Sequence, residues 1–139
     1  ELGYPDPAAE RTLMKGEDRR DVLARLDACL NAKQLEEIQQ QCREVRVSDA
    51  LLDYVQRLVQ CTRDAKEFAY GLSPRGALAL LACAKTWAYI DRRNHVVPED
   101  VQAVLGAIVE HRLRETADFS GHGGGALAQR LLNQVDVIG

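Results

Sequence analysis

The chain has 139 residues, 46% of them hydrophobic and 28% charged, and a formal charge of −3. Length and apolar content suit one domain with a real core, since a chain near 150 residues buries roughly 70% of its unfolded surface. The near-balance of charge leaves no footprint for nucleic acid or anionic lipid, and the longest apolar stretch, 77–84, is far too short to cross a bilayer.

The opening residues, ELGYPDP, lack the basic start and apolar run of a secretion signal and read as a cut made inside a longer protein. Asp6 followed by Pro7 predicts an N-cap and first-turn proline, with a short helix closing near Gly16. A second helix carries Val22, Leu23, Leu26, Cys29 and Leu30 on one face. Asn31 and Gln34 form a capping-box start for a third, through Leu35, Ile38, Cys42 and Val45. Ser48 caps a stronger helix lined by Leu51, Leu52, Val55, Leu58 and Val59, which ends around Asp64. Lys66 to Tyr70 reads as briefly extended and able to pair near Arg112 to Glu115, so strand content is at most a minor β-hairpin.

Ser73 and Pro74 open a helix in which Ala77, Leu78, Leu80, Leu81, Ala84, Trp87, Ala88 and Ile90 leave almost no polar face. That pattern predicts a central, enclosed helix. Pro98 begins the next, with Val101, Val104, Leu105, Ile108 and Val109 in a clean stripe. Val97 is a poor N-cap there, at a cost of about 1 kcal/mol relative to Ser or Thr. SGHGGG, Ser120 to Gly125, reads as a flexible joint before a last amphipathic helix with Leu127, Leu131 and Val135. The sum is an all-α helical bundle with a central apolar helix and a short C-terminal helix.

Chemistry is sparse in this pattern. Cys29, Cys42, Cys61 and Cys83 are irregularly spaced, with no C-x-x-C pair and no histidine pair to complete a zinc site. Each falls in an apolar helical pattern, which predicts buried thiols in a reducing cytosol, hence a cytoplasmic protein without metal. His95, His111 and His122 lie in separate segments, away from any nucleophile motif. Glu99 and Asp100 follow Pro98 in a first turn, where carboxylates complement the helix dipole. No G-x-x-x-x-G-K-[ST] occurs, and the glycine run 121–125 has neither the preceding strand nor the following lysine of a phosphate loop.

Arg75 stands apart, because a cation in the first turn of a helix opposes a dipole that favours anions by about 0.3–1 kcal/mol. Two readings are open for it. It pairs with a nearby carboxylate such as Asp64 or Glu67, or it points outward to a phosphate held elsewhere, a task suited to a planar, permanently charged fork of donors.

Four stretches bear on that choice: LGYPDPAAER at 2–11, VSDALLDYVQRLVQCTR at 47–63, GLSPRGALALLACAKTWAYI at 71–90 and RRNHVVPEDVQAVLGAIVEHRL at 92–113. Together they resemble the C-terminal helical lid of MoxR-type AAA+ ATPases, in order, from residue 2 to about 113 and more loosely through the final helix. The VPEDV stretch is unspecific, shared by many AAA+ lids and by histone-fold proteins. The combination of Thr62-Arg63, Ser73-Pro74-Arg75 and His111-Arg112-Leu113 carries the resemblance. Departures from the family pattern are Gly76 for a usual alanine, Leu72 for a small residue and Val97 for a capping threonine.

The resemblance implies a division of the chain: 1–6 as a hinge from a missing nucleotide-binding domain, 7–113 as the lid bundle, 114–125 as a joint, and 126–139 as a C-terminal helix and tail. It implies that Arg75 is the sensor 2 arginine, reaching the γ-phosphate of ATP held with Mg2+ by the missing domain. Arg63 would support the nucleotide site or an intersubunit contact, and Tyr4 in the hinge would pass near the adenine. The parent would be a ring-forming, usually hexameric ATPase with chaperone-like assembly or activation of protein complexes. Its partners would be its own nucleotide-binding domain, neighbouring subunits and a protein with a von Willebrand factor A domain. Alone, the fragment would be catalytically silent. The alternative is a histone-fold-like dimeriser built on the helix from Pro74, a fold that wants a much longer central helix than 74–90 supplies.

Overall fold

The computed structural model describes residues 3–64, 71–109, 113 and 125–138. Among them are seven helices and no strand: α1 (Pro7–Lys15), α2 (Arg19–Ala24), α3 (Ala32–Glu44), α4 (Asp49–Asp64), α5 (Pro74–Ile90), α6 (Pro98–Val109) and α7 (Gly125–Gln134). The all-α expectation holds. The hairpin proposed between 66–70 and 112–115 lies outside the described residues apart from Leu113, as does the joint up to 124, whereas Gly125, assigned to the joint from the sequence, is the first residue of α7. The chain divides into two compact units, Glu1–Leu35 and Glu36–Gly139.

In the first unit, local chemistry sets each boundary. The Asp6 carboxylate accepts the Ala8 and Ala9 N–H groups, both at 2.9 Å, and Pro7 supplies the first helical residue of α1. Asp18 caps α2 through the Arg20 N–H at 2.9 Å. The stripe Val22 to Leu30 predicted a longer helix, yet α2 stops at Ala24 and tightens into i to i+3 bonds from Arg25 and Leu26. Leu26 and Leu30 are exposed, so burial does not extend this short helix, and one this short is marginal without packing. The capping box that opens α3 forms as expected, with Asn31 and Gln34 exchanging side-chain to backbone bonds of 2.9 Å.

The second unit holds the core. There α5 packs along α6, and α7 lies against α6 and α4. Tyr54 and Leu58 of α4, Leu80 and Ala84 of α5, Val101 and Leu105 of α6, and Leu131 of α7 are among its most enclosed apolar residues. Ser48 caps α4 through the Leu51 N–H at 3.2 Å. An isolated parallel bridge joins Arg46 and His95, its Arg46 N–H donating to the Asn94 carbonyl and its carbonyl accepting from Val96, both at 3.0 Å. Lys85 ties α5 to the last turn of α3 through the Arg43 carbonyl, 2.8 Å away. Arg57 of α4 reaches the carbonyls of Asp136 and Val137, fixing the chain beyond α7.

Two expectations are corrected here. The helix from Pro74 packs against α6 and α4 but is not enclosed: its inward line is Gly76, Leu80, Ala84 and Ala88, while Leu78 (69%), Trp87 (48%) and Ile90 (69%) remain exposed, and it is α6 that meets α4, α5 and α7. Small residues on the inward face let the helix axis approach its neighbours closely, and the large ones fall outside that seam. The cysteines are not buried either. None of the four is in a disulfide: Cys29 and Cys83 are exposed and Cys42 and Cys61 half-buried, the Cys61 thiol donating to Gln134 Oε1 at 3.2 Å.

Candidate functional site

Arg75 occupies the first turn of α5. Ser73, with φ −69° and ψ 161°, is the N-cap, and its hydroxyl accepts the Gly76 N–H at 3.2 Å. Pro74 follows at the first helical position with its φ locked by the ring. The first turn contains no acidic residue, and the Arg75 side chain is exposed. No hydrogen-bond or ion-pair partner for it occurs among the described residues. Asp64, one of the two carboxylates weighed as its partner, accepts instead from Gln60 at 2.8 Å. Glu67, the other, lies outside the described residues. A helix N-terminus and an uncommitted guanidinium therefore add their positive potential at one surface point.

The end of α4 holds that turn in place. Thr62, 2% exposed, donates its hydroxyl to the Val59 carbonyl at 2.6 Å and accepts the Leu72 N–H at 2.9 Å. Arg63 Nε donates to the Leu72 carbonyl at 3.1 Å. Both backbone polar groups of Leu72 are thus bound by consecutive residues of one helix, while the Leu72 side chain is buried in the core. Gly71 is required for this approach: a Cβ there would lie 2.5 Å from Arg63 Cγ, 2.6 Å from Arg63 Cα and 2.8 Å from the Thr62 carbonyl oxygen.

Of the residues singled out from sequence, Arg63 and Arg75 thus converge on the start of α5, one bracing the chain and the other displayed by it. Tyr4 belongs to the first unit, precedes α1 and is fully exposed. Thr62, Gly71 and Leu72 were not recognised as structural parts of this site. The available signal was Thr62 itself, a polar residue continuing the inward line Leu51, Val55, Leu58 of α4.

A second polar cluster braces the far end of α5. Asp100, 1% exposed, accepts two bonds from Arg93, which also binds Asp91, and takes the Val97 N–H at 2.8 Å. That back-bond satisfies the Val97 N–H and is the half of a capping box that Asp100 can supply, while the Val97 side chain offers no acceptor for the first-turn N–H groups. The hydrogen bond from Arg93 holds the Asp100 carboxyl below its ordinary range, against burial, which pushes it up. The same bond raises Arg93 further above its usual value.

Comparison with known proteins agrees with this architecture. Residues 60–131 match the family described as the AAA lid domain, a span that contains the Thr62–Leu72 contact, Arg75 and all of α5 and α6. The chain is 33% identical over 126 residues to the chaperone MoxR1 of Mycobacterium tuberculosis, covering 84% of this chain and 33% of that protein. It is 27% identical over 138 residues to the uncharacterized protein YeaC of Bacillus subtilis, covering 98% of this chain and 43% of YeaC. The crystal structure of a proposed ATPase from Cytophaga hutchinsonii superposes with a TM-score of 0.73 at 26% identity, over 97% of this chain and 44% of that one. The fold and these matches define a lid domain of the AAA class. The chain belongs to the AAA lid domain family, as the C-terminal lid of a MoxR-type AAA+ ATPase. It spans less than half the length of these relatives.

Proposed function

We propose that Arg75 is the sensor 2 arginine of this lid, and that it reaches the terminal phosphate of ATP bound by the parent's nucleotide-binding domain. The observation that carries this reading is an exposed guanidinium without a partner among the described residues, on a capped and braced helix start with no acidic residue in its first turn. These features fit an anion rather than a structural ion pair. ATP with Mg2+ supplies the phosphoryl group to be transferred, and the metal would be held by the missing domain. Arg75 donates to phosphate oxygens and offsets the charge that develops there, and lid position then depends on whether that phosphate is present. Arg63 supports the nucleotide site through the same helix start, or an intersubunit contact, and Tyr4 lies in the hinge beside the adenine.

On the same reading of the chain as a MoxR-type lid, and with MoxR1 named a chaperone, the parent hydrolyses ATP as a ring of subunits, hexameric in the usual case, and assembles or activates other protein complexes in the cytoplasm. A protein with a von Willebrand factor A domain is the expected partner class. Among the described residues, no helix is long and apolar enough to cross a membrane.

The test is Arg75→Ala in the full-length protein. ATP turnover should fall about 100-fold, the scale of losing one charge-stabilising donor, while the melting of the isolated lid changes by less than about 0.5 kcal/mol, as for other exposed sites. Wild-type turnover in that variant would remove Arg75 from the reaction.

A further inference from the structure

We infer that Thr62, acting through the backbone of Leu72, is the positioning residue for Arg75, so that the last turn of α4 sets where the guanidinium stands. The inference rests on the reading of Arg75 as the phosphate-sensing residue and adds the device that aims it.

Between the contact and the cation there is little freedom. Leu72 is fixed at its N–H by Thr62 Oγ1, 2.9 Å away, and at its carbonyl by Arg63 Nε, 3.1 Å away. Ser73 is held in an extended conformation by capping the Gly76 N–H. Pro74 has its φ fixed by the ring. Arg75 comes next, so every backbone unit from the contact to the cation is restrained.

Thr62 is also oriented rather than free to rotate. Its hydroxyl proton is engaged by the Val59 carbonyl at 2.6 Å, which turns a lone pair to the Leu72 amide. At 2% exposure, water cannot substitute for that acceptor. Deleting the hydroxyl would leave the Leu72 amide buried and unmatched, and the cheapest relief is a shift of the 71–75 segment, the one that carries Arg75. Displacements of about 1 Å at a charge-stabilising group are enough to cost up to 100-fold in rate.

Three variants of the full-length protein test this. Thr62→Val, which keeps the shape and removes the hydroxyl, should lower the ATP turnover number about 10-fold, and Thr62→Ser, which keeps the hydroxyl, should stay within about 2-fold of wild type. In an Arg75→Ala background, Thr62→Val should cause no further loss, because its effect is exerted through the missing guanidinium. An equal loss in both backgrounds, or Thr62→Ser behaving like Thr62→Val, would overturn the inference while leaving Arg75 in its role. An Arg75→Ala protein with normal turnover would overturn both. Should Thr62→Val fail to fold, hydrogen exchange in the wild-type protein decides: slow exchange of the Leu72 amide, slowed no further by ATP, is required, and fast exchange refutes a fixed contact.

Discussion

The guanidinium of Arg93 grips the carboxylate of Asp100 with two hydrogen bonds, Nη1 to Oδ2 at 2.7 Å and Nη2 to Oδ1, and joins the turn after α5 to the first turn of α6. Asp100 has a third bond from the Val97 N–H, so one buried carboxylate organises the whole connection between the two helices. Its pKa lies below the ordinary value of 3.8, chiefly through the Arg93 hydrogen bond. A depressed carboxylate contributes stability that is fully present above its unfolded pKa and is lost as pH falls through the folded one. The expected outcome is a lid that weakens below about pH 4, and an Asp100→Asn variant weaker by about 2 kcal/mol at pH 7. Urea unfolding at pH 7 and at pH 3 checks both, since the gap between the two proteins should narrow in acid.

Arg92 has φ of 57°, the positive φ found for a non-glycine residue among those described. It sits just beyond the end of α5, where its N–H bonds to the Tyr89 carbonyl at 2.9 Å and the Arg93 N–H to the Ala88 carbonyl at 2.8 Å. That pair of bonds is a Schellman closure, which favours glycine at the left-handed position. Arg92→Gly should therefore raise stability by about 0.5–1 kcal/mol, the relief of Cβ crowding less the entropy gained by the unfolded chain. Thermal melting of the two proteins measures it, and a lower melting temperature for the glycine variant would contradict the assignment of this turn.

The parts of the fold written in local chemistry were legible from the sequence. Asp6-Pro7, Asn31/Gln34, Ser48 and Ser73-Pro74 each place a helix start where the structure has one, because a cap is decided by atoms within three residues of it. The stripe of α6 was equally plain, with Val101, Val104, Leu105, Ile108 and Val109 all buried. What depended on partners was not legible. The length of α2 and the exposed side of α5 are set by how many neighbours exist to cover them, and hydropathy alone points large residues inward. The site divides the same way. Arg75 was visible as a cation out of place, whereas the Thr62 to Leu72 bond joins residues ten apart through a turn whose geometry no periodicity encodes.

The orientation of α5 has its own test. Leu80 is fully enclosed and Leu78 is 69% exposed, two residues apart on one helix. Leu80→Ala should cost about 2–5 kcal/mol, and Leu78→Ala less than about 0.5 kcal/mol. Equal costs in denaturant titration would mean that the outer face is covered in solution, as a histone-fold-like dimeriser requires. Sedimentation equilibrium of the fragment then separates a tight dimer from the expected monomer.

Gly71 offers a steric handle on the same contact from the opposite side. It is not a residue of unusual backbone conformation, since no glycine among those described has a positive φ. Its constraint is space, for an added Cβ would fall within 2.8 Å of the Thr62 carbonyl oxygen and 2.6 Å of Arg63 Cα, neither of which can rotate away. Gly71→Ala must therefore separate the 71–72 segment from α4, with a stability loss of about 1–3 kcal/mol, the range for an overpacked site. In the full-length protein the same variant should depress ATP turnover together with Thr62→Val, if both act on Arg75 by moving Leu72 as proposed. A Gly71→Ala protein of normal stability and normal turnover would show that the chain can detach from α4 without consequence, and that the end of α4 does not aim the arginine.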